Sequence, residues 1–185
     1  GNILQELKDN GIIRESSSPY ASPVLLVKKK TNDYRMCVDF RRLNAVTIKD
    51  KYPLPLIEDQ IDRLGGYVYF TTLDFASGYY QVPMAEDSIE KTAFVTPDAH
   101  YEFVRMPFGL SNAPAVFQRL IDKVLGKLKN KEAFAYMDDI IIPSVSIKQG
   151  LERLKLVLDV LRQNNLTLKL IKCSFLKQKI DYLGQ

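Results

Sequence analysis

Apolar and polar positions change period repeatedly along this chain, the pattern of short mixed elements rather than one long repeat. Ile3, Leu4 and Leu7 ahead of Asn10-Gly11 predict a short helix over 3–13. Ser16-Ser17-Ser18-Pro19 and Ser22-Pro23 are loop punctuation. Residues 24–27 and 34–40 read as strands around the polar turn Lys28-Lys29-Lys30-Thr31-Asn32-Asp33, a hairpin with a basic tip. Pro53 and Pro55 mark an extended connection. Ile57, Ile61 and Leu64 share a helical face that Gly65-Gly66 ends. Residues 67–73 are β-branched and aromatic and predict a strand, with Asp74 at its end. Residues 79–84, 93–97 and 101–106 read as further strands. Ser111-Asn112 with Pro114 opens a helix whose apolar face is Val116, Phe117, Leu120, Ile121 and Val124, stopping at Gly126. Residues 133–136 and 140–142 are two short strands around Met137-Asp138-Asp139. Leu151, Leu154, Leu158 and Leu161 form a helical stripe, and strands over 166–170 and 175–183 follow. Hairpins mixed with helices predict an α+β fold, with helices packed on one face of an antiparallel sheet.

Composition narrows the chemistry. The 185 residues suit one large domain or two small lobes, and the pattern still running at Gln185 reads as a segment of something longer. No apolar run reaches the roughly 18 residues of a membrane span. Cys37 and Cys173 lie far apart without a CxxC partner, which excludes a disulfide framework and a thiolate zinc site. With His100 as the one histidine, most zinc chemistry is excluded as well. No GxSxG, GxxxxGK[ST] or GxGxxG occurs. Any metal must therefore sit on oxygen ligands, which suits magnesium or manganese. The net charge of +4 hides an uneven distribution. Residues 24–51 hold eight Lys/Arg against three Asp/Glu, and residues 151–185 seven against three. Such stretches attract polyanions, or are simply solvated lysine faces.

The most informative segment is Ala133-Phe134-Ala135-Tyr136-Met137-Asp138-Asp139-Ile140-Ile141-Ile142. Two adjacent acids sit between two apolar strands. Asp is a good turn former, but no Gly or Asn accompanies these two, and a cation would relieve their repulsion. Asp74 ends another strand, where it serves as a cap or, beside the hairpin, as a third carboxylate. Three carboxylates at one sheet edge can hold two divalent ions about 3.5–4 Å apart, the arrangement that drives in-line phosphoryl displacement.

At these residues a family resemblance enters. Tyr136-Met137-Asp138-Asp139 resembles the YxDD box of reverse transcriptases, and Asp74 with Ser77-Gly78-Tyr79-Tyr80-Gln81 resembles the box before it. Arg35-Met36-Cys37-Val38-Asp39-Phe40-Arg41-Arg42-Leu43-Asn44 resembles RMCVDYRxLN. Tyr52-Pro53-Leu54-Pro55, Glu90-Lys91-Thr92-Ala93-Phe94, Tyr101-Glu102-Phe103 and the stretch from Met106-Pro107-Phe108-Gly109-Leu110 to Ser111-Asn112-Ala113-Pro114 match in order. Together these boxes are similar to the polymerase of gypsy-type LTR retrotransposon Pol polyproteins, over nearly the whole chain.

The resemblance implies the fingers (1–48 and 83–111) and palm (49–82 and 112–185) of a right-hand polymerase, with an antiparallel palm sheet. Asp74, Asp138 and Asp139 would be catalytic, holding two Mg²⁺ ions (Mn²⁺ as a substitute) with the carbonyl of Phe75. Lys29 and Arg35 would reach the triphosphate, two of the three tip lysines being solvated. Tyr79 would be the steric gate under the sugar, or a packed tyrosine. Phe108, Met137 and Gln118 complete the expected nucleotide-binding set. Arg41 would contact template, or pair with Asp39 or Asp50. Pro114 would grip the template or pack in the core. Tyr182, Leu183 and Gly184 would begin the primer grip. Cys37 and Cys173 read as buried small residues, and His100 as solvent-facing.

Two departures from the gypsy pattern carry structural expectations. Pro143 should end its strand or lie at an edge, since proline cannot donate to a ladder. Gln149-Gly150 should weaken the next helix start. The implied activity is RNA-directed DNA polymerisation, a nucleotidyl transfer onto a primer. The alternatives are a non-catalytic nucleic-acid-binding remnant and an RNA-directed RNA polymerase, the latter disfavoured by Tyr79 and Met137. Expected partners are a primed RNA or DNA template, deoxynucleoside triphosphates and the remaining Pol domains (thumb, RNase H, integrase), with no membrane. The expected location is intracellular, in a cytoplasmic retroelement particle or the nucleus.

Overall fold

The apolar rhythm resolves into nine strands and six α-helices among residues 2–30, 32, 34–136 and 138–178, which the computed structural model describes. In chain order these are α1 (Asn2–Asp9), β1 (Ile13–Glu15), β2 (Ser22–Lys28), β3 (Tyr34–Val38), α2 (Arg41–Val46), α3 (Ile57–Arg63) and β4 (Tyr69–Asp74). There follow α4 (Glu86–Ile89), β5 (Phe94–Val95), β6 (His100–Phe103), α5 (Ala113–Leu125), β7 (Phe134–Tyr136), β8 (Asp139–Ser144), α6 (Ile147–Gln163) and β9 (Ser174–Lys177). The chain divides into two compact units, Gly1–Asp50 with Tyr79–Ala113 and Lys51–Gly78 with Pro114–Gln185.

The first unit holds a five-stranded sheet in the order β1-β6-β5-β2-β3. All its pairings are antiparallel except β2 with β5. Ile13 pairs with Phe103, and Ile13, Phe40, Phe94 and Phe103 are buried together under Leu4 and Leu7 of α1. The predicted helix over 3–13 is shorter than expected. Gly11 takes a left-handed φ of +70°, which breaks the helix and turns Ile13 into β1. The expected strand over 79–84 is also absent. Ser77 and Gly78 have φ of +51° and +30°, so the chain enters a 3₁₀ turn at Gly78–Gln81, and only Pro83 makes an isolated bridge, to Arg105.

The second unit holds a four-stranded, wholly antiparallel sheet in the order β7-β8-β4-β9. Ile140, Ile141 and Ile142 are all buried, so β8 is covered on both faces, and α6 packs against β8 and β4. The aromatic pair Phe75–Phe117, with centroids 5.5 Å apart, packs at the end of β4.

Three expectations are corrected in this unit. β8 does not end at Pro143 but runs through it, opposite Phe70. A strand residue turns its N and C=O to the same side, and the Pro143 carbonyl accepts from Arg153 Nη1 at 2.7 Å instead of from β4. Its missing N–H therefore also faces away from β4, on the side where β7 pairs no farther along β8 than Ile141, so Pro143 stands at a local edge, the other of the two expectations for it. The start of α6 is not weak. Ser146 caps it by accepting from Gln149 N at 3.1 Å, and Gln149 Oε1 accepts from Val145 N, one residue before the cap, at 2.9 Å. The 166–170 stretch forms no strand; it makes one bridge, Leu168 to Phe75, and then a 3₁₀ turn at Leu170–Lys172. Of the expected 175–183 strand, β9 ends at Lys177, and 179–183 lie outside the described residues.

Gly150 has a packing reason. A Cβ there would run into Leu176 Cδ2 and stand 2.8 Å from Ser144 Oγ. Gly150→Ala should therefore lower stability by about 1–3 kcal/mol, although alanine favours an isolated helix by about 1 kcal/mol. Thermal unfolding checks the sign; a raised Tm would show that α6 can back away from β8.

Candidate active site

The register of β4 on β8 places two carboxylates on the last rung of the ladder, Asp74 opposite Asp139. The backbone shows which kind of rung it is. Asp74 O accepts from Lys169 N at 2.8 Å and Asp74 N donates to Cys173 Sγ at 3.4 Å, so both Asp74 backbone groups face away from β8. Asp74–Asp139 is thus a non-hydrogen-bonded pair, the kind in which opposed side chains stand closest, about 4.5–5.5 Å apart at Cβ. Like charges in that relation repel. Asp138 follows in the connection between Tyr136 and Asp139, which are themselves paired.

The electrostatics follow from this crowding. Burial, then the charge of Asp74, pushes the Asp138 carboxyl above its ordinary range, with Lys172 pulling the other way. Asp139 is raised by burial, by Asp74 and by Asp138. One oxygen of Asp138, Oδ1, is buried without a hydrogen-bond partner. By strand alternation Phe75 turns its own C=O toward the β8 side, because its bridge to Leu168 is made through Asp74 O and Ala76 N. Its side chain is core, 3% exposed. Among the described residues, no group of three His, Cys, Asp or Glu side chains is arranged to hold a metal ion. The three aspartates share a sheet end without being closed into a ligand set. Yet an orphaned buried oxygen and three mutually repelling hard-oxygen donors are the chemistry a divalent cation relieves, so the residues fit such an ion.

The remaining expected residues fall in both units. In the first, Lys29 is exposed at the hairpin tip and Arg35 is exposed on β3 opposite Val27. Tyr79 is buried (6% exposed), its ring 4.8 Å from that of Phe108, which is half-exposed. Tyr80 also meets Phe108, at 5.6 Å, and burial followed by the Cys37 charge raises its phenol. Arg41 is held by Asp39, Nη2 to Oδ2 at 2.7 Å and Nε to Oδ1 at 2.9 Å, and these hydrogen bonds hold the Asp39 carboxyl below its ordinary range.

In the second unit, Gln118 shows no exposed amide: it is 1% exposed and its Nε2 donates to Asp122 Oδ1 at 2.9 Å. Asp122 also accepts from Tyr52 at 2.6 Å and from Lys129 at 3.0 Å. Pro114 opens the part of α5 that belongs to this unit. Met137, Tyr182, Leu183 and Gly184 lie outside the described residues.

Sequence reasoning missed three participants. Cys173 is not an inert buried residue but half-exposed, with its sulfur on Asp74 N. Lys172, in a basic stretch readable as solvated surface, acts on Asp138. Asn44 binds the loop that carries Phe108 (Nδ2 to Gly109 O and Oδ1 from Ser111 N, both 2.8 Å), and its place in the RMCVDFRRLN box was the available signal. His100 is half-buried, its Nε2 2.8 Å from Tyr20 O, rather than solvent-facing.

Compared with known proteins, residues 27–185 match the family model described as reverse transcriptase (RNA-dependent DNA polymerase). The chain belongs to the reverse transcriptase family. Among curated relatives it is 48% identical over 188 residues to the retrovirus-related Pol polyprotein from transposon 297 of Drosophila melanogaster, covering 99% of this chain. It is 42% identical over 189 residues to that from transposon gypsy of the same organism, again covering 99% of this chain. The gypsy-type Pol resemblance is thus borne out. The chain spans 18% of the length of each of these relatives.

The reverse transcriptase fold is equally plain. The structure of the foamy viral protease-reverse transcriptase dRH in complex with double-stranded DNA superposes with a TM-score of 0.90 at 24% identity, covering 98% of this chain and 32% of that one. A selenomethionine-labelled prototype foamy virus protease-reverse transcriptase gives 0.85 at 28% identity, covering 98% and 24%. The mixed α/β architecture with antiparallel sheets and packed helices is as expected. Enzymes of this family generally use divalent metal ions. No helix among the described residues is long and apolar enough to cross a membrane.

Proposed function

We propose that this chain is the fingers and palm of an RNA-directed DNA polymerase, adding deoxynucleotides to a primer on an RNA or DNA template. The first unit would be the fingers and the second the palm. The observation that carries the reading is the rung Asp74–Asp139 with the orphaned Asp138 oxygen beside it. Asp74, Asp138, Asp139 and the Phe75 carbonyl would hold two Mg²⁺ ions, with Mn²⁺ as a substitute. When bound, such a pair acidifies the attacking hydroxyl and neutralises charge on the phosphates and leaving oxygen.

The other residues bind and orient. Lys29 and Arg35 neutralise the triphosphate through charge-assisted contacts. Tyr79, backed by Phe108, excludes a 2′-hydroxyl. Buried Gln118 acts through Asp122 rather than by touching nucleotide. Met137 would meet the primer end or the incoming base, Pro114 and Arg41 the template, and Tyr182, Leu183 and Gly184 the primer. Base pairing selects the nucleotide, while protein contacts to the backbone weaken steeply with salt. Partners would be a primed template, deoxynucleoside triphosphates and the thumb, RNase H and integrase parts of a Pol polyprotein, in a cytoplasmic particle or the nucleus.

Primer extension on an RNA template tests this, in the longest polypeptide that carries the chain. Extension is expected with Mg²⁺ and none after chelation, with recovery when Mg²⁺ is restored. Salt-sensitive template binding without extension at any divalent ion concentration would instead make it a binding remnant.

A further inference from the structure

We propose that Asn44 is a positioning residue that fixes the Tyr79–Phe108 ring pair and thereby sets the preference for deoxyribonucleotides over ribonucleotides. This rests on the polymerase reading above. The residues all lie in the first unit. Asn44 sits on α2, and its side chain spans two backbone atoms of a loop distant in sequence. Its Nδ2 donates to Gly109 O and its Oδ1 accepts from Ser111 N, both at 2.8 Å. An amide is the side chain that can do both at once; a carboxylate can only accept, and an apolar residue does neither.

The clasped loop needs holding. Phe108 is 50% exposed, so burial alone does not fix its ring. Gly109 next to it has φ of +96°, with Phe40 Cδ2 3.5 Å from where a Cβ would stand. Upstream the loop is tied by Met106 N to Val82 O at 2.8 Å. Between Met106 and Ser111, the Asn44 clasp closes the segment whose aromatic ring lies 4.8 Å from Tyr79 and 5.6 Å from Tyr80. α2 itself is held on the core through Leu43, so its Asn44 amide is presented to the loop from an anchored helix. Released, Phe108 can swing, and the wall that Tyr79 presents to the sugar loses its backing.

Single-nucleotide extension with a deoxynucleotide and the matching ribonucleotide tests this. Losing both hydrogen bonds predicts that Asn44→Ala raises KM for the deoxynucleotide about tenfold, with kcat within about twofold. The deoxy-over-ribo preference should fall about tenfold. Asn44→Asp keeps the shape and the acceptor but loses the donor; it should move both quantities the same way, and it carries the test if Asn44→Ala is unstable. Adding Phe108→Ala to Asn44→Ala should cost less than Phe108→Ala alone, because both act on one contact. Asn112→Ala is the comparator: its amide ties Ile48 O and Asp50 N at 2.8 and 2.9 Å, so it should lower Tm and leave the preference unmoved. An unchanged preference in the Asn44 variants, or an equal change in Asn112→Ala, overturns the proposal. Absence of extension by the unaltered protein would instead overturn the polymerase reading.

Discussion

Asp138→Asn is expected to reduce primer extension by about a thousand-fold or more while leaving the fold intact. The two consequences separate because the carboxylate is electrostatically unfavourable in the metal-free protein. Burial and Asp74 raise the Asp138 carboxyl, and Asp139 is raised in the same way. For an acid whose folded-state pKa lies above its unfolded value, the folded state binds protons more tightly. Stability therefore falls as pH rises through the window from the ordinary aspartate value to the raised one, and the penalty is complete above it. Neutral asparagine removes part of that penalty, so metal-free Asp138→Asn should melt about 2 °C higher at neutral pH. The gap should close as pH drops through the window. Conversely, millimolar Mg²⁺ should raise the Tm of the unaltered chain more than that of the variant. Extension kinetics paired with thermal melts at several pH values check both halves. Retained extension would remove Asp138 from the catalytic set. A lower Tm with flat pH dependence would show that the pair is not under repulsion.

The second large effect concerns the sugar. Tyr79→Ala should raise ribonucleotide use relative to deoxynucleotide by about 10- to 100-fold, the range of one lost steric contact in the transition state. It should also destabilise the chain, since the ring is 6% exposed and truncating a buried aromatic costs about 3–5 kcal/mol. Tyr79→Phe keeps the ring against Phe108 and should preserve the preference. The preference ratio of kcat/KM values, measured below the melting temperature of the alanine variant, is the decisive readout. If Tyr79→Ala loses stability with no change in ratio, the ring is a core tyrosine and nothing more.

What was legible beforehand follows from how local each signal is. The Asp138-Asp139 hairpin, the α6 helix and the α5 face could be read because apolar period and turn chemistry are written within a few residues, but the face that α6 buries is Gly150, Val157 and Leu161, while Leu151 and Leu158 of the expected stripe are exposed. The 79–84 stretch misleads because its aromatic residues favour a strand, while left-handed Ser77 and Gly78 redirect the backbone. Pro143 seemed to end a strand because proline breaks a ladder. Its tolerance depends on Arg153, which lies a helix away and takes the proline carbonyl. Gly150 looked like a flaw in the helix start; the reason for it, contact with Ser144 and Leu176, is tertiary. Cys173 beside Asp74 and Lys172 acting on Asp138 could not be foreseen, because that closeness depends on how β9 and its preceding turn lie along β4.

The division of the chain has a consequence for its synthesis. Each unit is assembled from two stretches interrupted by the other, so neither is a contiguous gene segment. On the ribosome, β1 emerges early but finds its partner β6 only after β4 has been made, since Ile13 pairs with Phe103. β4 in turn waits for β8 and β9 to cover its two edges. Such long-range pairings close slowly and leave strand edges open meanwhile. A chimaera between two relatives would need three matched junctions, at 50/51, 78/79 and 113/114, to exchange one unit, whereas a single crossover at 78/79 would hybridise both cores at once.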